Sequence, residues 1–157
     1  KSLICWLLAW AACSAYPLFA YELISSAIVK DDGTLRIRGK TVHLYGIHIP
    51  RTSQTCASYR LPPLCGSRAS VALDFKISGF VRCYIQETLD DGSLIGWCRV
   101  NTSRFRDGED LSAYLLEQGW AVALPDAPIE YQALEKIARA RHVGVWGTPV
   151  DRIIERP

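Results

Sequence analysis

Val29-Lys-Asp-Asp-Gly-Thr-Leu-Arg-Ile-Arg-Gly-Lys-Thr-Val-His-Leu-Tyr-Gly-Ile-His-Ile-Pro-Arg51 is the stretch whose reading decides the fold. Two runs, Thr34–Ile37 and Lys40–Ile47, alternate in polarity on either side of Arg38-Gly39. Branched residues at period two around a glycine turn predict a β-hairpin. Asp31-Asp32-Gly33 punctuates its start, and Pro50 stops its second strand because proline cannot donate to a ladder. Strand parity puts Val42, Leu44 and Gly46 on one face and His43, Tyr45 and Ile47 on the other.

Working outward, Ser26–Lys30 reads as a strand before the hairpin, and Arg51–Cys65 as a loop in which Pro62-Pro63 forbids regular structure. Gly66–Ser78 carries Ala69, Ala72, Leu73 and Ile77 at helical spacing, with Gly79 as its stop. Phe80–Gln86 and Leu94–Val100 read as two strands around Asp90-Asp91-Gly92, and Thr102–Glu109 as a polar loop. Asp110–Gln118 is predicted as a second helix ended by Gly119, and Trp120–Leu124 as a short apolar strand. A third helix is expected to be capped by Asp126, to hold Pro128 in its first turn and to reach about His142. Leu134, Ile137, Ala138 and Arg141 lie along its expected inner stripe, and His142 is placed to meet the helix dipole. Asp151–Pro157 shows no structural signal, and no internal repeat stands out. The alternation of strands and helices indicates a mixed α and β domain.

The chain has 157 residues, enough for one domain with a real core plus a tail. Its 18 basic side chains nearly match its 16 acidic ones. Proteins that hold nucleic acid through its backbone usually show a clear basic excess, which is missing here. The absence of methionine points to residues upstream of Lys1. Ser2–Ala20 is uncharged and apolar, with small residues at Ala15 and Ala20, which reads as an export signal. A retained membrane anchor is the rival, although the run is marginal beside the roughly 20 apolar residues that span a bilayer. Lipidation at Cys13 is a third option on a poor sequence context.

Cysteine usage supports export independently. Beyond Cys5 and Cys13 in the leader, four remain: Cys56, Cys65, Cys83 and Cys98. An even number in an exported domain implies two disulfides, whereas no Cys-x-x-Cys pair supports a zinc site. Pairing the two later strands symmetrically about Asp90-Asp91-Gly92 sets Cys83 directly opposite Cys98. Elimination leaves Cys56 with Cys65, a closure worth about 2–3 kcal/mol for a loop of that size.

The opening stretch also resembles a known pattern. Val29, Thr34-Leu35, Val42, Leu44, Gly46-Ile47 and Pro50 match the hairpin that begins the staphylococcal-nuclease-like (thermonuclease) family. Asp-Leu-Ser-Ala-Tyr-Leu-Leu-Glu-Gln-Gly-Trp-Ala from Asp110 is similar to a helix of that family, and Gly144-Val-Trp146 to its closing motif. The resemblance covers about Ser26–Gly147. It implies an α+β fold, a five-stranded OB-like β-barrel with three helices, and a domain over 21–147 between a 1–20 leader and a 148–157 tail.

The framework matches and the chemistry does not. Hydrolysis in this family needs a hard divalent cation, usually Ca²⁺, held by carboxylates, a base to activate water, and two arginines on the phosphate. The two metal-binding aspartates fall on Gly33 and His48, the presumed base on Arg51, and the two arginines on His43 and Ser93. Arg51 cannot accept a proton. The expectation is therefore that none of these positions is catalytic and that no cofactor is needed. A register slip that lets Asp32 replace Gly33 would restore one ligand only. Asp32, His43 and His48 are the candidates for a retuned Zn²⁺ or Cu²⁺ site; a partly exposed strand histidine and a loop histidine are the plainer explanation.

Arg36, Arg38, Arg51 and Arg60 could form an anion patch, although solvated charge is the commoner reason for such a cluster. Trp97, facing away from Cys98, is expected in the core; Trp120 and Trp146 are expected to pack at domain corners. The functional expectation is a binding or structural module, an accessory subunit in the cell envelope. It would be periplasmic, or anchored on the outer side of the membrane, with a protein partner or membrane complex and at most weak nucleic-acid binding. The alternative is a metal-dependent phosphodiesterase with an altered site.

Overall fold

A computed structural model describes residues 21–50 and 68–147. β1 (Tyr21–Val29), β2 (Leu35–Ile37) and β3 (Lys40–Leu44) form an antiparallel meander, followed by the short β4 (Ile47–His48). After α1 (Arg68–Lys76) come β5 (Phe80–Thr88), β6 (Leu94–Val100) and β7 (Glu109–Asp110). α2 (Leu111–Glu117), β8 (Val122–Ala123), α3 (Ile129–Ala140) and a 3-10 turn at Gly144–Trp146 complete it.

The strands run in the order β3-β2-β1-β5-β6, and a parallel pairing of β3 with β6 closes the ring. The fold is therefore α+β, a closed five-stranded mixed barrel with three helices, as an OB-like architecture requires. Closure removes the free sheet edges that would otherwise invite association. β7 extends the sheet beyond β6, while β4 and β8 pair separately.

β1 is longer than the sequence reading, starting at Tyr21 rather than Ser26. Its first six residues pair with β5 and its last three with β2, so one strand serves two neighbours in turn. Only Leu23 is buried in that early half, which is why the apolar pattern there is weak. The β5–β6 hairpin keeps the symmetric register as far as Ile85 opposite Gly96, then slips by one at Gln86 in a bulge. Cys83 faces Cys98 and is bonded to it, with Cα atoms 4.0 Å apart and neither residue exposed. Cys56 and Cys65 lie outside the described residues, as do the 51–65 loop, the 1–20 leader and the 148–157 tail.

Leu23, Leu35, Ile37, Val42, Val81 and Val100 fill the barrel, and Leu73, Leu111, Leu115 and Leu116 close it from the helices. Asp110 caps α2, its Oδ1 accepting from the Ser112 and Ala113 amides. At the far corner Gly119 and Gly144 meet backbone to backbone. The Val145 amide donates to Gly119 O, and a Cβ on Gly144 would lie 2.3 Å from that same oxygen.

Three sequence expectations are corrected. Asp126 does not cap α3: Pro128 holds the cap position and no side chain bonds the first turn. Of the expected α3 stripe, Ala138 is buried and Leu134 packs against the core, but Ile137 is 46% exposed and Arg141 follows the helix; Tyr131 and Glu135 complete the inner face instead. Trp97 is not in the core. It stands on the outer wall, edge-on to Tyr45 at 4.9 Å, because Cys98 takes the inward position. Trp120 and Trp146 do sit at corners, under Arg68 and Arg139 respectively. His142, two residues beyond α3, adopts a left-handed backbone (φ 52).

Candidate functional site

Two turns built alike lie on either side of β3. Asp31-Asp32-Gly33-Thr34-Leu35 joins β1 to β2, and Asp90-Asp91-Gly92-Ser93-Leu94 joins β5 to β6. In the first, the Gly33 amide donates to Lys30 O and the Lys30 amide to Thr34 O. In the second, the Gly92 amide donates to Leu89 O and the Leu89 amide to Ser93 O. The match extends to the side chains. Thr34 donates to Asp32 Oδ1 from its amide at 2.9 Å and its hydroxyl at 2.7 Å. Ser93 donates to Asp91 Oδ1 from its amide at 2.9 Å and its hydroxyl at 2.6 Å. Val42 of β3 pairs with both Leu35 and Leu94, so β3 runs between the two turns. The repeated Asp-Asp-Gly-(Thr/Ser)-Leu motif was visible in the sequence, but a period of 59 residues occurring only twice is easily passed over.

Both carboxylates are acidified. Burial works to raise Asp32, but the Thr34 amide and hydroxyl, with Lys30 nearby, outweigh it and hold the group below the usual carboxylate range. For Asp91 the Ser93 hydroxyl and amide dominate, against slight desolvation, and His43 adds a smaller favourable field.

Gly33 has φ +80, and a Cβ there would lie 2.5 Å from Ile49 Cδ1. An apolar side chain thus occupies the space into which position 33 would project. His43 lies half-buried on the outer side of β3, beside Ile95 of β6. His48 is in β4, paired with Val122 of β8, after the chain has turned at Gly46 (φ 72). Ser93 is 7% exposed and bonded within its turn. Arg51 and Arg60 lie outside the described residues. Asp32, His43 and His48 are not drawn together: among the described residues no three His, Cys, Asp or Glu side chains gather closely enough to hold one ion. This set does not fit the Ca²⁺ implied by the resemblance, since a hard cation needs a cage of oxygens.

Sequence reading missed two polar centres. Tyr131 donates at 2.6 Å to Asp110 Oδ2, and burial followed by that carboxylate raises the phenol's pKa. Glu135 is 6% exposed; its Oε2 accepts from the Ala123 amide at 2.7 Å and its Oε1 from Arg139 Nε at 2.9 Å. It forms part of a groove of about 310 Å³ lined by Leu124, Pro125, Gln132, Lys136 and Arg139. Spacing of Tyr131, Glu135 and Ala138 at i, i+4 and i+7 carries the signal for this face. It is obscured because a glutamate stands where an apolar residue is expected. The arrangement braces α3 against β8 and offers no paired acid and base.

No protein-family model matches the chain, and no curated protein matches its sequence. Among the described residues no helix is long and apolar enough to cross a membrane.

Proposed function

We infer that this chain is a staphylococcal-nuclease-like barrel that has kept its frame and lost its chemistry. It acts as an exported, disulfide-linked binding or structural module, an accessory subunit in the cell envelope. One observation carries the reading: Ile49 fills the space beside Gly33, where that family places a metal-binding carboxylate. The neighbouring acids support it, because Asp32 and Asp91 each spend one oxygen on closing their own turn. Phosphodiester hydrolysis needs a nucleophilic water and charge stabilisation at the phosphate, and losing one such group already costs orders of magnitude. The Cys83–Cys98 bond accords with an oxidising compartment.

The test is degradation of plasmid and single-stranded DNA in Ca²⁺, Mg²⁺, Mn²⁺ and Zn²⁺, alongside purification from the native source with identification of bound proteins. The expected result is no cleavage and a stable envelope partner. Metal-dependent cleavage that disappears in His43→Ala and His48→Ala would overturn the reading in favour of an altered phosphodiesterase. Nucleic-acid binding, measured by gel shift, is expected to be weak and to fade with salt, given the near-neutral charge.

A further inference from the structure

Four of the most exposed apolar side chains of the described residues collect at one pole of the barrel. Phe105 is 89% exposed, Phe75 86%, Phe80 69% and Ile28 68%. Strand register sets two of them side by side, and the loop after β6 and the end of α1 adjoin that level. Ser26 pairs with Phe80, which puts Ile28 diagonally beside that ring on the outer wall. Arg82 pairs with Arg99, so β6 leaves the sheet two residues later, level with Phe80, and Phe105 lies on the hairpin beyond. Glu109, at the base of that hairpin, accepts from Asn101 and pairs with Lys76, the neighbour of Phe75.

Phe105 is held out rather than merely loose. The Ser103 and Arg106 backbones exchange hydrogen bonds in both directions, and the Phe105 amide donates to Ser103 Oγ. Arg99 fastens the base through Asp107 O. The tip is Arg104-Phe105-Arg106, with the Arg104 guanidinium 5.9 Å from the phenyl centroid. Neither arginine forms an ion pair with a described residue. Arg36, directly across from Ile28, adds a further cation, while Asp107 is the one acid in the loop and Glu109 is matched by Lys76.

A protein partner would need a pocket for each separate protrusion. A fluid interface accommodates neighbouring protruding rings without a matched pocket for each, and it favours aromatic side chains flanked by arginines when the headgroups are anionic. We propose that this pole is a peripheral membrane-contact site for a bilayer carrying anionic lipid, with Phe105 inserted and Arg104 and Arg106 on the headgroups. The proposal does not depend on the loss of nuclease chemistry.

It is tested with the full chain, by sedimentation with vesicles of phosphatidylcholine alone or mixed with phosphatidylglycerol. Should residues 1–20 insert on their own, sedimentation would saturate alike for every variant, and hydrogen exchange at the tip then decides. Phe105→Ser is expected to weaken binding to the mixed vesicles roughly five- to tenfold. The Arg104→Gln/Arg106→Gln double variant is expected to lose about tenfold or more and the preference for anionic lipid. Hydrogen exchange on mixed vesicles should slow in residues 103–106, which needs no substitution. Unchanged exchange at the tip, or equal binding by all three proteins where sedimentation is incomplete, would overturn the proposal.

Discussion

Ile49 Cδ1 lies 2.5 Å from where a Cβ on Gly33 would stand, so the two positions cannot both carry a full side chain without one giving way. Gly33 also has φ +80, a backbone region costly for residues with a Cβ. Gly33→Asp, which introduces a carboxylate into this turn, is therefore expected to lower unfolding free energy by about 1–3 kcal/mol. Adding Ile49→Ala should relieve the contact but not the backbone strain. Urea denaturation of the single and double variants measures both, and an undiminished Gly33→Asp protein would contradict the packing described.

Cys83 and Cys98 close a loop of sequence separation 15 between directly paired strands. Loop-closure entropy for that length is worth about 3 kcal/mol. Cys83→Ala/Cys98→Ala is expected to lose about that much, and more if the buried sulfurs leave a cavity. The comparison is denaturant midpoint for the variant against the oxidised parent.

Glu135 is almost wholly withdrawn from solvent. Truncation to Ala would leave the Ala123 amide without its acceptor and Arg139 without its ion pair. A loss of about 2–4 kcal/mol is expected. Glu135→Gln should cost less, because the amide oxygen can still accept from Ala123. Thermal melts of the two variants give the order; equal effects would mean that the charge alone matters.

Asp32 and Asp91 are both held below their ordinary carboxylate pKa. A depressed folded-state value means the stabilisation is present above the unfolded pKa, about 3.9, and is lost as pH falls through the folded value. The stability curve should therefore drop below about pH 4, and Asp32→Asn/Asp91→Asn should flatten that limb. At the other extreme the raised Tyr131 phenol favours its protonated form in the fold, so its stabilisation declines as pH rises beyond about 10. Urea titrations from acid to alkaline pH report both limbs, and a Tyr131→Phe protein should lack the alkaline contribution.

The hairpin, the order of elements and the Cys83–Cys98 pairing were legible in the sequence because each rests on local rules. Alternation sets a strand's inner face, glycine and proline set its ends, and symmetric pairing about a turn fixes what stands opposite what. That Gly33 and His48 carry no carboxylate could likewise be read residue by residue. Only the tertiary structure decided what filled the space. Ile49 reaches Gly33 because the chain turns at Gly46, after β3, a long-range contact that no periodicity encodes. Trp97 went outward because the disulfide claimed the inward position, and Glu135 went inward because the Ala123 amide needed an acceptor. Local patterns fix which side chains share a face; which face meets which, and which polar group must then be satisfied, is settled only when the barrel closes.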